Sequence, residues 1–224
     1  MRSTTDASVR SIGMSLSLGA VVLLLSACGR EARVLSPEAA TVLESALVST
    51  MDPEGDAVAS QGNGLAGKAY QDIVGAAVDV DQATFTFSMD VATSVPAAPV
   101  LPRGIKLQEW SWNINTSPEL PRGFPFPPGG AAPPEFMIMV TWDGSAFTGT
   151  LIDRRPLLAG GQPVNTSIPF AIDGAAISAE VGASLLGGPS SFTWVARTND
   201  WPHLGSGSVQ TLDRAPDDAP GFWP

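Results

Sequence analysis

The chain has 224 residues and a formal net charge of −10, with Lys68 and Lys106 as its only lysines. That balance argues against a nucleic-acid partner, whose phosphates need a basic footprint, and against a polybasic grip on anionic lipid. One Cys and one His leave no zinc-ligand set, and 23 glycines with 20 prolines point to many turns and few helices.

The first stretch reads as an export signal. Arg2 and Arg10 make a basic opening, diluted by Asp6, and an uncharged run from Ile12 to Leu25 leads to Ser26, Ala27 and Cys28. The apolar core is too short to span a bilayer comfortably, for which ~20 residues are needed. This segment resembles bacterial lipoprotein signal peptides, in which a Leu, a small residue, Ala or Gly and then Cys direct a dedicated signal peptidase. The resemblance implies cleavage after Leu25-Ser26-Ala27 and lipid on Cys28 as the new N-terminus. Stable anchoring takes at least two acyl chains. Gly29 in place of Asp favours the outer membrane where the organism has one, and otherwise the outer face of the plasma membrane. An ordinary cleaved signal, with Cys28 an incidental thiol, is the weaker alternative. Residues 1–27 carry a net +1, so the remaining 197 residues carry −11. With Cys28 lipidated there are no disulfides, and stability rests on packing.

Residues 28–50 read as a tether. Ser36-Pro37-Glu38 could start a short helix over Ala39 to Val48, or the segment is a loose stalk. From residue 51 to 217 the pattern is that of a domain, with 218–224 as a tail. Period-two alternation predicts a hairpin of about 72–80 with 84–92 and a strand through Gln108, Trp110, Trp112 and Ile114. It also predicts a doubly covered strand over Phe136 to Trp142. Asp143-Gly144 predicts a tight turn into Ala146 to Ile152, because both positions tolerate positive φ. Asp173-Gly174 predicts a second hairpin, between Ile168–Ile172 and Ile177–Val181. Late strands follow at Phe192 to Ala196 and near Ser208 to Leu212. About eight or nine short strands without a long amphipathic helix give an all-β, antiparallel β-sandwich of jelly-roll type. Between two of these strands lies Thr116 to Pro134, whose seven prolines exclude a sheet interior. Phe124 and Phe126 in it either meet a ligand or staple the loop to the sandwich.

The order of turns looks familiar. Asp-x-x-Gly-Asp (Asp52 to Asp56), Phe-Thr-Phe (Phe85 to Phe87), Trp-Asp-Gly (Trp142 to Gly144) and Ile-Asp-Gly (Ile172 to Gly174) come first. Leu-Leu-Gly (Leu185 to Gly187), Phe-x-Trp-x-Ala (Phe192 to Ala196) and Asp-x-Ala-Pro-Asp (Asp213 to Asp217) follow. This resembles secreted bacterial domains with the DOMON-like sandwich, similar in architecture to family-nine carbohydrate-binding modules. The resemblance implies a sugar or a haem as ligand. Haem would need His203 with Met89, Met137 or Met139, and a lone loop His is weak grounds for it. Sugar binding would use Trp201, Phe124 or Phe126 beside Arg154, Arg155, Asn113 or Asn115. The alternation makes Trp110, Trp112, Trp142 and Trp194 core residues instead.

No nucleophile elbow and no phosphate loop occur in the chain. Glu109, Glu119, Glu135 and Glu180 are nominal candidates for a carboxylate-based hydrolase. No cofactor is expected; calcium is the alternative, since Asp52, Glu54, Asp56 and Asp72 could gather oxygens at one end of the sandwich, although Asp is common in turns for backbone reasons. Arg154 and Arg155 are expected to pair with carboxylates. The function expected from these features is non-enzymatic: a lipid-anchored envelope module that binds a glycan or another envelope component. An assembly lipoprotein with a protein partner is the alternative.

Overall fold

The structure, a computed structural model, describes residues 47–57, 68–117, 134–158, 160–203, 209–217 and 219–224. The signal segment with Leu25, Ser26, Ala27 and Cys28, most of the tether, and the loop bearing Glu119, Phe124 and Phe126 lie outside the described residues.

The described residues form twelve strands. In chain order they are β1 (Leu47–Met51), β2 (Ile73–Asp81), β3 (Thr84–Val91), β4 (Ile105–Asn115), β5 (Phe136–Trp142) and β6 (Phe147–Asp153). After a single helical turn, α1 (Arg155–Leu158), come β7 (Val164–Ser167), β8 (Phe170–Asp173), β9 (Ala176–Gly182), β10 (Phe192–Pro202), β11 (Gln210–Ala215) and β12 (Gly221–Trp223). One sheet has five strands in the order β1-β2-β3-β9-β8. The other has seven, in the order β11-β10-β4-β5-β6-β7, with β12 extending the edge beside β10. Every pairing is antiparallel. The expected antiparallel β-sandwich is therefore the fold.

Alternation explains the core. Val78 and Val80, Phe85 and Phe87, and Ile177 and Val181 of the five-stranded sheet meet Trp110, Trp112, Phe136, Ile138, Phe192 and Trp194 of the other. All of these side chains are buried. Three indole N–H groups donate to carbonyls, as buried tryptophans usually require: Trp110 to Tyr70 O (2.9 Å), Trp112 to Ser88 O (3.3 Å) and Trp142 to Pro99 O (2.8 Å).

The turns differ in detail from the expectation. Gly144 and Gly174 take positive φ, +93° and +62°, but the aspartates before them do not. Asp143 instead caps a four-residue loop, its Oδ1 accepting from Ser145 N–H (2.8 Å) and Ala146 N–H (3.0 Å). Three strands go beyond the sequence reading. β1 occupies the end of the expected tether and pairs with β2, β7 extends the seven-stranded sheet, and β12 falls within the expected tail. Between β7 and β8 the chain crosses to the other sheet over Gly149, where a Cβ would stand 2.6 Å from Ile168 O. That contact explains the glycine.

Candidate functional site

The outward face of the seven-stranded sheet carries a cleft. Register sets its rows, since residues directly opposite in a ladder share a face. Thr211, Asn199, Glu109 and Thr141 form one row. Arg197, Ser111, Met139 and Thr150 form the next, and Val195, Asn113, Met137 and Ile152 the third. The resulting cleft holds about 460 Å³, with Met137, Met139, Ile152, Pro163 and Val209 as apolar wall and Glu109, Arg154, Arg197, Asn199, Trp201 and Thr211 as polar groups.

Glu109 is fully buried at the floor. Its Oε1 accepts from Asn199 Nδ2 (2.8 Å) and its Oε2 from the Trp201 indole N–H. Burial pushes its carboxyl above the ordinary value, and these donors together with the Ser111 hydroxyl pull against that shift. Arg197 donates to Thr211 Oγ1, which in turn donates to Asn199 Oδ1 (2.9 Å). Burial lowers the pKa of Arg197 and of Arg154. Arg154 lies within reach of Met137 Sδ (3.6 Å) and has no carboxylate partner among the described residues. Arg155 behaves differently. It makes a two-pronged pair with Asp153 (3.0 and 2.7 Å) and stacks on Phe136, outside the cleft.

A second polar region closes one end of the sandwich. Asp72, whose oxygens accept from Gly55 N–H (2.7 Å) and Ala57 N–H (3.2 Å), shapes the turn after β1. Asp213 on β11 accepts the Ile73 N–H (2.5 Å), tying the two sheets together. Asp52, Asp56, Asp213 and Asp217 then converge, each offering a carboxylate oxygen within 4.8 Å of the other three. Burial, followed by repulsion from Asp213 and Asp217, pushes Asp52 up to about 8. Burial pushes Asp213 up to about 7 against backbone donors that oppose it. Asp56 is raised for the same first reason.

The structure thus sorts the residues singled out from sequence. Trp201 and Arg154 join one cleft, whereas exposed His203 is not among its lining residues and Arg155 pairs with Asp153. Met137 and Met139 line the cleft, and Met89 is buried between the sheets. Asp52 and Asp56 join one cluster, while Asp72 holds their turn and Glu54 stays exposed. Of the nominal catalytic glutamates, Glu119 lies outside the described residues, and Glu109, Glu135 and Glu180 stand apart. Glu135 fastens the base of the proline-rich loop through Thr116 N–H (2.8 Å) and Ser117 Oγ (3.1 Å), and Glu180 is exposed on β9. Glu109 pairs opposite Thr141, six residues along from Glu135, which is about 20 Å of strand, against the ~5–9.5 Å that glycosidase pairs need.

Asn199, Arg197, Thr211, Asp213 and Asp217 were not singled out as site residues from sequence. The one available signal for Arg197 and Asn199 was alternation on β10, where Trp194 and Ala196 point inward. Comparison with protein-family models, with curated proteins and with solved structures gave no match. The class is defined by the fold and its sites: an antiparallel β-sandwich with a polar-floored, apolar-walled cleft on one outer face.

Proposed function

We propose that this protein is a non-enzymatic binding module, held at the cell envelope by lipid on Cys28, whose ligand sits in the cleft of the seven-stranded sheet. The cleft is the observation that carries the reading. Its volume of about 460 Å³ falls within the ~300–1,000 Å³ of small-molecule sites, which are mostly apolar with a few convergent polar groups. The ligand class is an envelope component with an apolar body and an anionic head. Met137, Met139, Ile152 and Val209 would cover the body, and the half-buried Arg154 guanidinium would meet the head. A glycan fits less well, because Trp201 is the only aromatic residue among the described lining residues and its indole N–H is given to Glu109. The turn motifs shared with DOMON-like sandwiches support a ligand-presenting domain, and Leu25 to Cys28 supports the anchor.

Calorimetric titration of the purified protein with single-chain anionic amphiphiles and with oligosaccharides tests the site. Saturable binding of an amphiphile is expected, weakened tenfold or more by Met139→Trp, which fills the cleft, and by Arg154→Gln. Binding that Met139→Trp leaves unchanged would overturn the cleft, and a saccharide-only response lost in that variant would replace the amphiphile by a sugar. For the anchor, Cys28→Ser should move the protein from the membrane to the soluble fraction, and unchanged fractionation would refute it.

A further inference from the structure

We propose that Asp52, Asp56, Asp213 and Asp217 form a calcium site that clips the turn after β1 to the end of β11 and so joins the two sheets. The four carboxylates arrive from opposite ends of the chain. The first pair is positioned by a turn in which Gly55 takes φ +91° and Asp72 accepts two backbone N–H groups. The second pair is positioned by β11, through the bond from Ile73 N–H to Asp213.

Proximity of acids alone would carry little, since acidic turns are common. The decisive observation is Asp52. It is 9% exposed, its Oδ2 is buried with no hydrogen-bond partner, and one of its oxygens lies within 4.8 Å of an oxygen of each of the other three acids. Asp56 Oδ1 is likewise buried without a donor. A buried carboxylate oxygen facing other carboxylates is costly unless a cation or a proton lies between them. Among the described residues, Arg214 Nε lies 4.0 Å from Asp217 Oδ1, both side chains being partly exposed.

The donor set and its irregular geometry favour one ion. Calcium binds oxygens at about 2.3–2.6 Å, so ligands across its coordination sphere stand about 4.6–5.2 Å apart. All the oxygen separations lie within 4.8 Å, so one ion can touch all four carboxylates. Magnesium needs about 2.0–2.1 Å in near-ideal octahedral geometry and prefers to keep its waters. The all-oxygen, all-carboxylate donor set disfavours zinc and copper, which take nitrogen and sulfur.

The test is calorimetric and thermal titration of the full chain, first stripped with chelator, with CaCl₂ alone and MgCl₂ alone. The expected result is one Ca²⁺ per chain with a dissociation constant of about 0.1–1 mM, the range of extracellular modules. Ca²⁺ should raise the melting temperature in proportion to occupancy, and Mg²⁺ should do so less. Asp52→Asn and Asp217→Asn should each weaken Ca²⁺ binding at least tenfold. The chelated Asp52→Asn protein should melt no lower than chelated wild type, because the amide NH₂ can donate to the neighbouring carboxylate oxygens. Should Asp52→Asn not fold, the more exposed Asp217→Asn carries the test. No Ca²⁺ response up to about 10 mM, an equal response to Mg²⁺, or Ca²⁺ binding retained in the variants would each overturn the proposal.

Discussion

Glu109 combines full burial with two donors aimed at separate oxygens, Asn199 Nδ2 on Oε1 and Trp201 Nε1 on Oε2. A carboxylate can accept on both sides, whereas a glutamine offers one oxygen and one NH₂. Glu109→Gln therefore sets a donor against a donor inside the cleft, at a cost of about 1–3 kcal/mol. Urea unfolding measures it, and a variant as stable as wild type would show that the two donors are satisfied elsewhere. The sequence placed Glu109, Ser111, Asn113 and Asn115 on one side of a strand by alternation. Their burial was not legible, because it depends on β5 and β10 lying on both sides of β4. Arg154 and Arg155 show the same limit. Nothing in a run of two arginines tells that one enters the cleft while its neighbour pairs with Asp153.

Among the elements, β12 shows how much a short strand can carry. It has three residues, yet Trp223 stacks on Phe192 at 5.2 Å and meets Phe85 edge-on at 5.0 Å. These contacts cover the inner face where β11 has ended. Trp223→Ala should cost about 3–5 kcal/mol, as for other large-to-small changes in cores. Phe222→Ser, half exposed on the opposite face, should stay within about 0.5 kcal/mol. Equal urea midpoints for the two variants would mean that β12 does not pack as described. The long alternating strands, β2, β3, β4 and β9, were legible because seven or more residues of period two leave few other readings. β12 was not, since three residues between prolines define no period. Nor was β1, because the run from Ala39 to Val48 read as a short helix or a loose stalk.

At the scale of the whole molecule, the two sheets are joined at one end by acidic residues over 150 positions apart in sequence. A single sequence cannot pair Asp52 with Asp213. It could only mark Asp52 and Asp56 as a turn with oxygens to spare. That end also determines how stability responds to pH. Burial raises Asp200 and, in the cleft, Glu109 above their ordinary values. With chelator present Asp52 stands at about 8 and Asp213 at about 7, against 3.8. Between the unfolded and folded values, Asp52 and Asp213 each keep a proton in the folded chain that the unfolded chain has already released. The folded state then binds more protons, and stability falls as pH rises. The fall begins near pH 4, where unfolded carboxyls ionise, amounts to at most about 1.4 kcal/mol per pH unit for each proton so held, and levels off above about pH 8. Asp143 and Asp153 act oppositely but only in acid, since backbone donors at Asp143 and Arg155 at Asp153 hold their pKa values below the ordinary one. Urea midpoints in chelator should therefore decline from about pH 5 to about pH 8, and Asp52→Asn should flatten the decline. A flat profile across this window would mean that the carboxyls ionise in the folded chain as readily as in the unfolded one. Saturating Ca²⁺ should remove much of the decline, because an ion among the carboxylates holds them ionised at every pH where it stays bound.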